Sequence, residues 1–140
     1  MTQINSVLGP IDSSDLGFTL MHEHVMVAAS GLSKSYPDLL GPNREERAIA
    51  CLKKAKAAGI NTLLDATTFD LGRDPELLRH VAFESGVNLI NVTGWWLDVP
   101  RFMLGVGANQ MADEFIRDIN EGFRGTDIKA GMLKCAADFE

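Results

Sequence analysis

The chain has 140 residues, 46% of them hydrophobic and 23% charged, and a formal net charge of −6 at pH 7. That length suits one domain and that composition a packed core, which excludes disorder along the whole chain. The acidic balance disfavours a nucleic acid as partner. No apolar run reaches the roughly 20 residues of a membrane span, and residues 1–6 lack the basic start and apolar core of a secretory signal.

In chain order, the first apolar run covers residues 18–25 and contains His22-Glu23-His24. It is short and bounded by polar residues, which predicts a strand. Asn43, with Glu46 three positions on, predicts a capping box that opens a helix. Ile49, Leu52 and Ala55 recur on one face of that helix, and Gly59 stops it. Residues 61–66 predict a second strand. Asp74-Pro75 reads as a cap followed by proline at the first helical position. Leu77, Leu78 and Val81 give this helix an apolar stripe, and Gly86 ends it. Residues 87–93 predict a third strand. A third helix is expected over about residues 108–122, with Met111, Phe115, Ile116 and Ile119 on its core face. Residues 129–135 predict a fourth strand.

Strands alternating with helices imply parallel strands joined by right-handed crossovers. An open doubly wound sheet and a (β/α)8 TIM barrel both suit that order. A complete barrel takes about 250 residues, and this α/β chain supplies about four βα units, roughly half of one. A half-barrel leaves two edge strands unpaired. The expectation is therefore a partial barrel domain over residues 1–140, cut from a longer protein. Cys51 and Cys135 make no disulfide framework and fit a reducing, cytoplasmic setting.

His22 and His24 alternate with Glu23, so on a strand both imidazoles project to one face. Two neutral imidazoles on one face can share a metal ion, while Glu23 points away. The pair lies at the C-terminal end of its strand, where parallel α/β folds carry their sites. The plainer reading is two histidines that fill polar corners. Lys134 lies at the C-terminal end of the fourth strand, hence at the same end of the sheet. Its plainer reading is a snorkelling or ion-paired lysine. An ammonium beside a dication is repelled, so chemistry there needs a depressed pKa or a modification that reverses the charge.

These residues and their surroundings resemble the phosphotriesterase family of metal-dependent hydrolases, within the wider amidohydrolase group. The likeness rests on residues 17–24 (GFTLMHEH), 57–74 (AAGINTLLDATTFDLGRD), 91–96 (NVTGWW) and 129–134 (KAGMLK), in order and at suitable spacing. It implies a barrel with two divalent metals, usually zinc, and His22 and His24 as ligands of the more buried one. It also implies that Lys134, carboxylated by carbon dioxide, bridges both ions through its carbamate as catalytic residue and ligand. The activity implied is hydrolysis of an ester substrate, either an aryl dialkyl phosphotriester or a lactone, by a hydroxide held between the metals. Two further histidines and an aspartate of the family pattern cannot be assigned in this chain. His80, the remaining histidine, falls within the second helix and reads as a surface residue.

Trp95 and Trp96 follow the third strand. Trp96 matches a family aromatic of the substrate pocket, where an aromatic wall favours apolar or aryl groups. The plainer reading is loop packing on the barrel rim. The tryptophans lean toward phosphotriesterase-like substrates, whereas residues 136–138 look more like the lactonase-related branch. Asp65 could reach the site, though a role behind a ligand, or a structural one, is the simpler expectation. Arg73 reads as a loop charge, Cys135 as packing, and Gly105 and Gly107 as a flexible loop without a nucleotide motif. Two alternatives stand beside the hydrolase. One is a catalytically incompetent half-barrel that acts as an assembly module, with two copies pairing as a homodimer. The other is an amidohydrolase that cuts C–N bonds.

Overall fold

A computed structural model describes residues 2–136. The chain opens with a hairpin, β1 (Gln3–Ser6) and β2 (Gly9–Asp12), paired antiparallel. Then come β3 (Thr19–Glu23), the short helix α1 (Leu32–Ser35), α2 (Arg44–Ala57), β4 (Thr62–Asp65), α3 (Pro75–Ser85), β5 (Asn88–Gly94), α4 (Ala108–Asn120) and β6 (Met132–Lys134). The second sheet has the order β3-β4-β5-β6, and each neighbouring pair is parallel. Sequential parallel strands joined by helices make a half-barrel, the N-terminal half of a (β/α)8 architecture. No helix among the described residues is long and apolar enough to cross a membrane.

Two apolar clusters separate the faces of the sheet. Leu63 and Leu89 pack with Ala48, Leu52, Leu78, Val81 and Ala82, which places them under the helices. Leu64, Ala66, Ile90 and Val92 form the second cluster with Ile4, Leu16 and Met132 on the opposite, inner face. The period-2 alternation of strand side chains produces this split. Ile4 comes from the N-terminal hairpin, which closes the inner face at the start of the strands. Its Asn5 donates to the carbonyls of Ile119 and Ala130. Gly131 is small because a Cβ there would meet the Asn5 carbonyl oxygen and Ile90 Cγ2, both at 2.5 Å.

Several sequence expectations are corrected. The hairpin is absent from the predicted order, since its strands are short and polar. Asn43 precedes α2 but sits in the left-handed region (φ 54°) and makes no side-chain cap, so the capping box with Glu46 does not form. Ile116 is 54% exposed and points off the α4 core face, where Asp118 is buried instead. Arg73, read as a structural loop charge, is a largely buried cation. Its guanidinium donates to the Val92 carbonyl, lies 3.6 Å from Asp118 and covers the Phe123 ring at 3.9 Å. Burial pulls its pKa down to about 10, against the support of Asp118, so it stays charged at neutral pH. Cys135 is exposed, not packed, and so is Cys51. Other expectations hold. Asp74 caps α3 by accepting from the Leu77 N–H, Pro75 opens it, and Gly86 closes it in the left-handed conformation.

Candidate metal centre

β3 and β4 run in register at Thr19–Thr62 and Leu20–Leu63, and again at Glu23–Asp65. Three steps along β3 therefore match two along β4, which is a bulge. A bulge changes which face later side chains occupy. Leu20 packs under the helices, and without the bulge His22 and His24 would follow it there. With the bulge, His22 falls beside Leu64 and His24 beside Ala66, both members of the inner cluster. The irregularity therefore turns the imidazoles inward and directs Glu23 to the other face. The two rings meet edge to face, with centroids 5.6 Å apart. Both residues are exposed, since the inner face is open beside them.

His24 is held from behind. Its Nδ1 lies 2.9 Å from the Thr67 hydroxyl. That hydroxyl in turn donates to Asp65 Oδ1, and the Thr67 backbone N–H reaches the same oxygen. Asp65 and Thr67 are each 1% exposed. Burial raises the Asp65 pKa above its usual value, and donors from Thr67 and Val25 oppose the shift. Asp65, read from sequence as standing behind a ligand or as structural, thus touches a candidate ligand through one intermediary. Sequence reasoning missed Thr67, whose only signal was its place two residues beyond a strand-end aspartate. Asn91 occupies the register position beside Asp65 on β5, and its buried Nδ2 has no partner.

Lys134 ends β6. Met132, two residues earlier, belongs to the inner cluster, so strand alternation sets Lys134 on the inner face as well. Its register partner is Gly94 (φ 107°), where a Cβ would meet the Lys134 carbonyl oxygen at 2.0 Å. A side chain at 94 would therefore push the end of β6 away. None of the ion pairs among the described residues involves Lys134. β4 and β5 intervene between Lys134 and the histidines, about 14 Å around the sheet at about 4.8 Å per strand. Only the curl of the sheet can bring the lysine toward the imidazoles. Among the described residues no group of three or more His, Cys, Asp or Glu side chains stands at metal-binding spacing. The structure thus brings His22 and His24 together and sets Lys134 on the same face at the same end.

Trp95 and Trp96 follow β5. Trp95 packs against Phe115 of α4, with centroids 5.2 Å apart. Trp96 is 46% exposed. Its backbone N–H donates to both Asp70 oxygens at 3.1 Å, and its carbonyl accepts from Ala136 N–H. Those bonds tie three βα loops together at the end of the sheet that bears the histidines. His80 is exposed and lies 3.0 Å from Glu45, outside the site. Of the tail at 136–138, residues 137 and 138 lie outside the described residues.

The comparisons with known proteins agree with this architecture. The profile described as "Phosphotriesterase family" matches residues 2–140. A "Phosphotriesterase homology protein" of Mycobacterium tuberculosis is 42% identical over 149 residues, covering 99% of this chain and 46% of that protein. An "Aryldialkylphosphatase" of Saccharolobus solfataricus is 40% identical over 131 residues, covering 91% of this chain and 42% of its own length. The solved structure of the phosphotriesterase from Mycobacterium tuberculosis superposes with a TM-score of 0.86 at 40% identity, over 96% of this chain and 45% of that one. The chain spans about half the length of the curated relatives it matches. A profile match over nearly every residue, on a half-barrel whose paired histidines face inward, places the chain in the phosphotriesterase family.

Proposed function

We propose that this chain supplies the metal-binding half of a phosphotriesterase-type hydrolase that cuts ester bonds in aryl dialkyl phosphotriesters or lactones. The observation that carries the reading is the His22–His24 pair, turned inward by the β3 bulge, with Thr67 on the Nδ1 of His24. The donor set fits a divalent ion such as zinc. The Nε2 of His24 faces away from the Thr67 contact, a second imidazole stands beside it, and imidazole nitrogen suits zinc.

In this reading His22 and His24 hold the first ion. Lys134 becomes a ligand by carboxylation. Its neutral amine adds to carbon dioxide, a C–N bond forms and a proton leaves to solvent, so an anionic carbamate replaces a cation. Carboxylated Lys134 would serve as an oxygen ligand that helps to hold a second ion. The chemistry that metal ions held there would supply is an acidified water near neutral pH and a Lewis acid for the P=O or C=O bond. Trp96, exposed on the loop after β5, offers an aryl group a flat apolar wall. The relatives' names favour phosphotriesters, since one is called an aryldialkylphosphatase.

The test is hydrolysis of an aryl dialkyl phosphotriester and of a lactone by the natural polypeptide, expressed from its full reading frame and loaded with zinc. Turnover of either substrate that disappears on metal removal and returns on readdition is expected. Metal-free protein as active as the loaded form would overturn the reading.

A second reading is favoured by the edges. Among the described residues β3 pairs only with β4, and β6 only with β5, and Phe18 and Met21 at the β3 edge are 65% and 62% exposed. Two copies could cover those edges as a homodimer and act as an assembly module. Size-exclusion chromatography of the 140-residue chain separates the cases. A dimer supports pairing, and a stable monomer removes it.

A further inference from the structure

We infer that Asp65 and Thr67 form a positioning relay that fixes the tautomer of His24 and presents its Nε2 to the metal, an inference that rests on the metal-site reading above. The argument is a count of protons. A threonine hydroxyl has one hydrogen to donate. In this structure Thr67 directs it at Asp65 Oδ1, which also accepts the Thr67 backbone N–H. The backbone N–H already holds Oδ1 as an acceptor, so the hydroxyl donates to that oxygen and has no proton left for His24. The 2.9 Å contact between Thr67 Oγ1 and His24 Nδ1 must then run the other way, with Nδ1–H donating. A neutral imidazole protonated at Nδ1 carries its lone pair on Nε2.

Burial makes the relay a fixed one. Asp65 and Thr67 are each 1% exposed and Thr68 is fully buried, so water does not compete for these bonds. The Ala66 N–H donates to the Glu23 carbonyl, which ties the end of β4 to the residue before His24. Backbone pairing therefore sets the spacing between His24 and Thr67, and the side chains set the ring orientation. His22 has no equivalent partner among the hydrogen bonds of the described residues, so the relay distinguishes the two ligands. Outer partners of this kind usually change metal affinity by about 10- to 100-fold.

The test combines nitrogen-15 NMR of the histidine rings in metal-free natural polypeptide with a cobalt titration followed by its visible spectrum. The wild type should show His24 protonated at Nδ1. Thr67→Val, which keeps the shape and loses the hydroxyl, should release His24 into a tautomer mixture and weaken cobalt binding by about 10- to 100-fold. Thr67→Ser should restore both readouts, which a merely structural role would not predict. His24 protonated at Nε2 in the wild type would overturn the relay, and this measurement needs no variant to fold. An unchanged tautomer and affinity in a folded Thr67→Val would overturn it as well. The expected tautomer in a wild type that takes up no cobalt would support the relay and overturn the metal-site reading.

Discussion

His22 and His24 bear on the site unequally, because only His24 has a buried hydrogen-bonded partner behind it. Substituting either histidine by alanine should lower turnover of the metal-loaded protein beyond the roughly 100-fold expected for the loss of an outer partner. The same variants should bind cobalt more weakly, which separates loss of a ligand from loss of substrate contact. Lys134→Met keeps the aliphatic stem and removes the amine, so it should abolish the second metal equivalent while His22 and His24 retain the first. Loss of both equivalents would mean that the lysine supports the whole centre. At this scale the sequence was partly legible. His-x-His on a strand and a strand-end lysine announce themselves by spacing alone. Thr67 does not, because its role depends on a hydroxyl meeting a side chain 43 positions away. Arg73 and Asp118 escaped for a related reason: a charge is read as solvated unless its partner is known. Here the two lie 45 positions apart in sequence and meet beside Phe123, whose ring the Arg73 guanidinium covers.

Among the elements, α3 followed its signals fully. Asp74, Pro75 and Gly86 act locally, and each does what its chemistry allows within one turn. Asp74→Ala should lower stability by about 1 kcal/mol, measured by chemical denaturation. α2 began where expected, but Asn43 adopted the left-handed region and could not cap. The β3 bulge was invisible in the sequence, because only the register against β4 reveals an extra residue. Gly131→Ala should cost about 1–3 kcal/mol, as overpacking usually does, because the new methyl meets the Asn5 carbonyl and Ile90 together. In α4, hydrogen bonds from Arg124 and Arg117 hold the Glu114 carboxyl below its usual range. A depressed carboxylate lends stability above its unfolded pKa and loses it as pH falls through the folded value. The advantage of wild type over Glu114→Gln should therefore be present at pH 7, begin to fall below about pH 4.5, and vanish once the pH drops past the lowered folded value. Its size should be about 0.2–1 kcal/mol, because the pair is exposed.

For the molecule as a whole, the alternation of strand and helix was enough to state a parallel α/β class, and the family resemblance chose the barrel over an open doubly wound sheet. The hairpin that closes the inner face was not foreseen, since four-residue strands such as Gln3–Ser6 carry no apolar alternation. Its function is clear from its contacts: Ile4 completes the inner cluster and Asn5 holds the carbonyls at the far end of α4 and before β6. The sheet thus has a packed end and an open end, and the histidines, Lys134 and Trp96 all lie at the open one. A metal centre held by His22, His24 and Lys134, as proposed, would link the two edge strands, β3 and β6, which no backbone ladder joins among the described residues.

The most direct measurement is a zinc titration of the metal-stripped natural polypeptide by calorimetry, with and without added bicarbonate. The account predicts tight uptake of two ions when bicarbonate is present and weaker uptake of the second without it. Lys134→Met should remove the bicarbonate dependence, and the His22→Ala/His24→Ala double variant should remove tight uptake altogether. Zinc binding that survives in that double variant, or no binding in the wild type, would contradict the account.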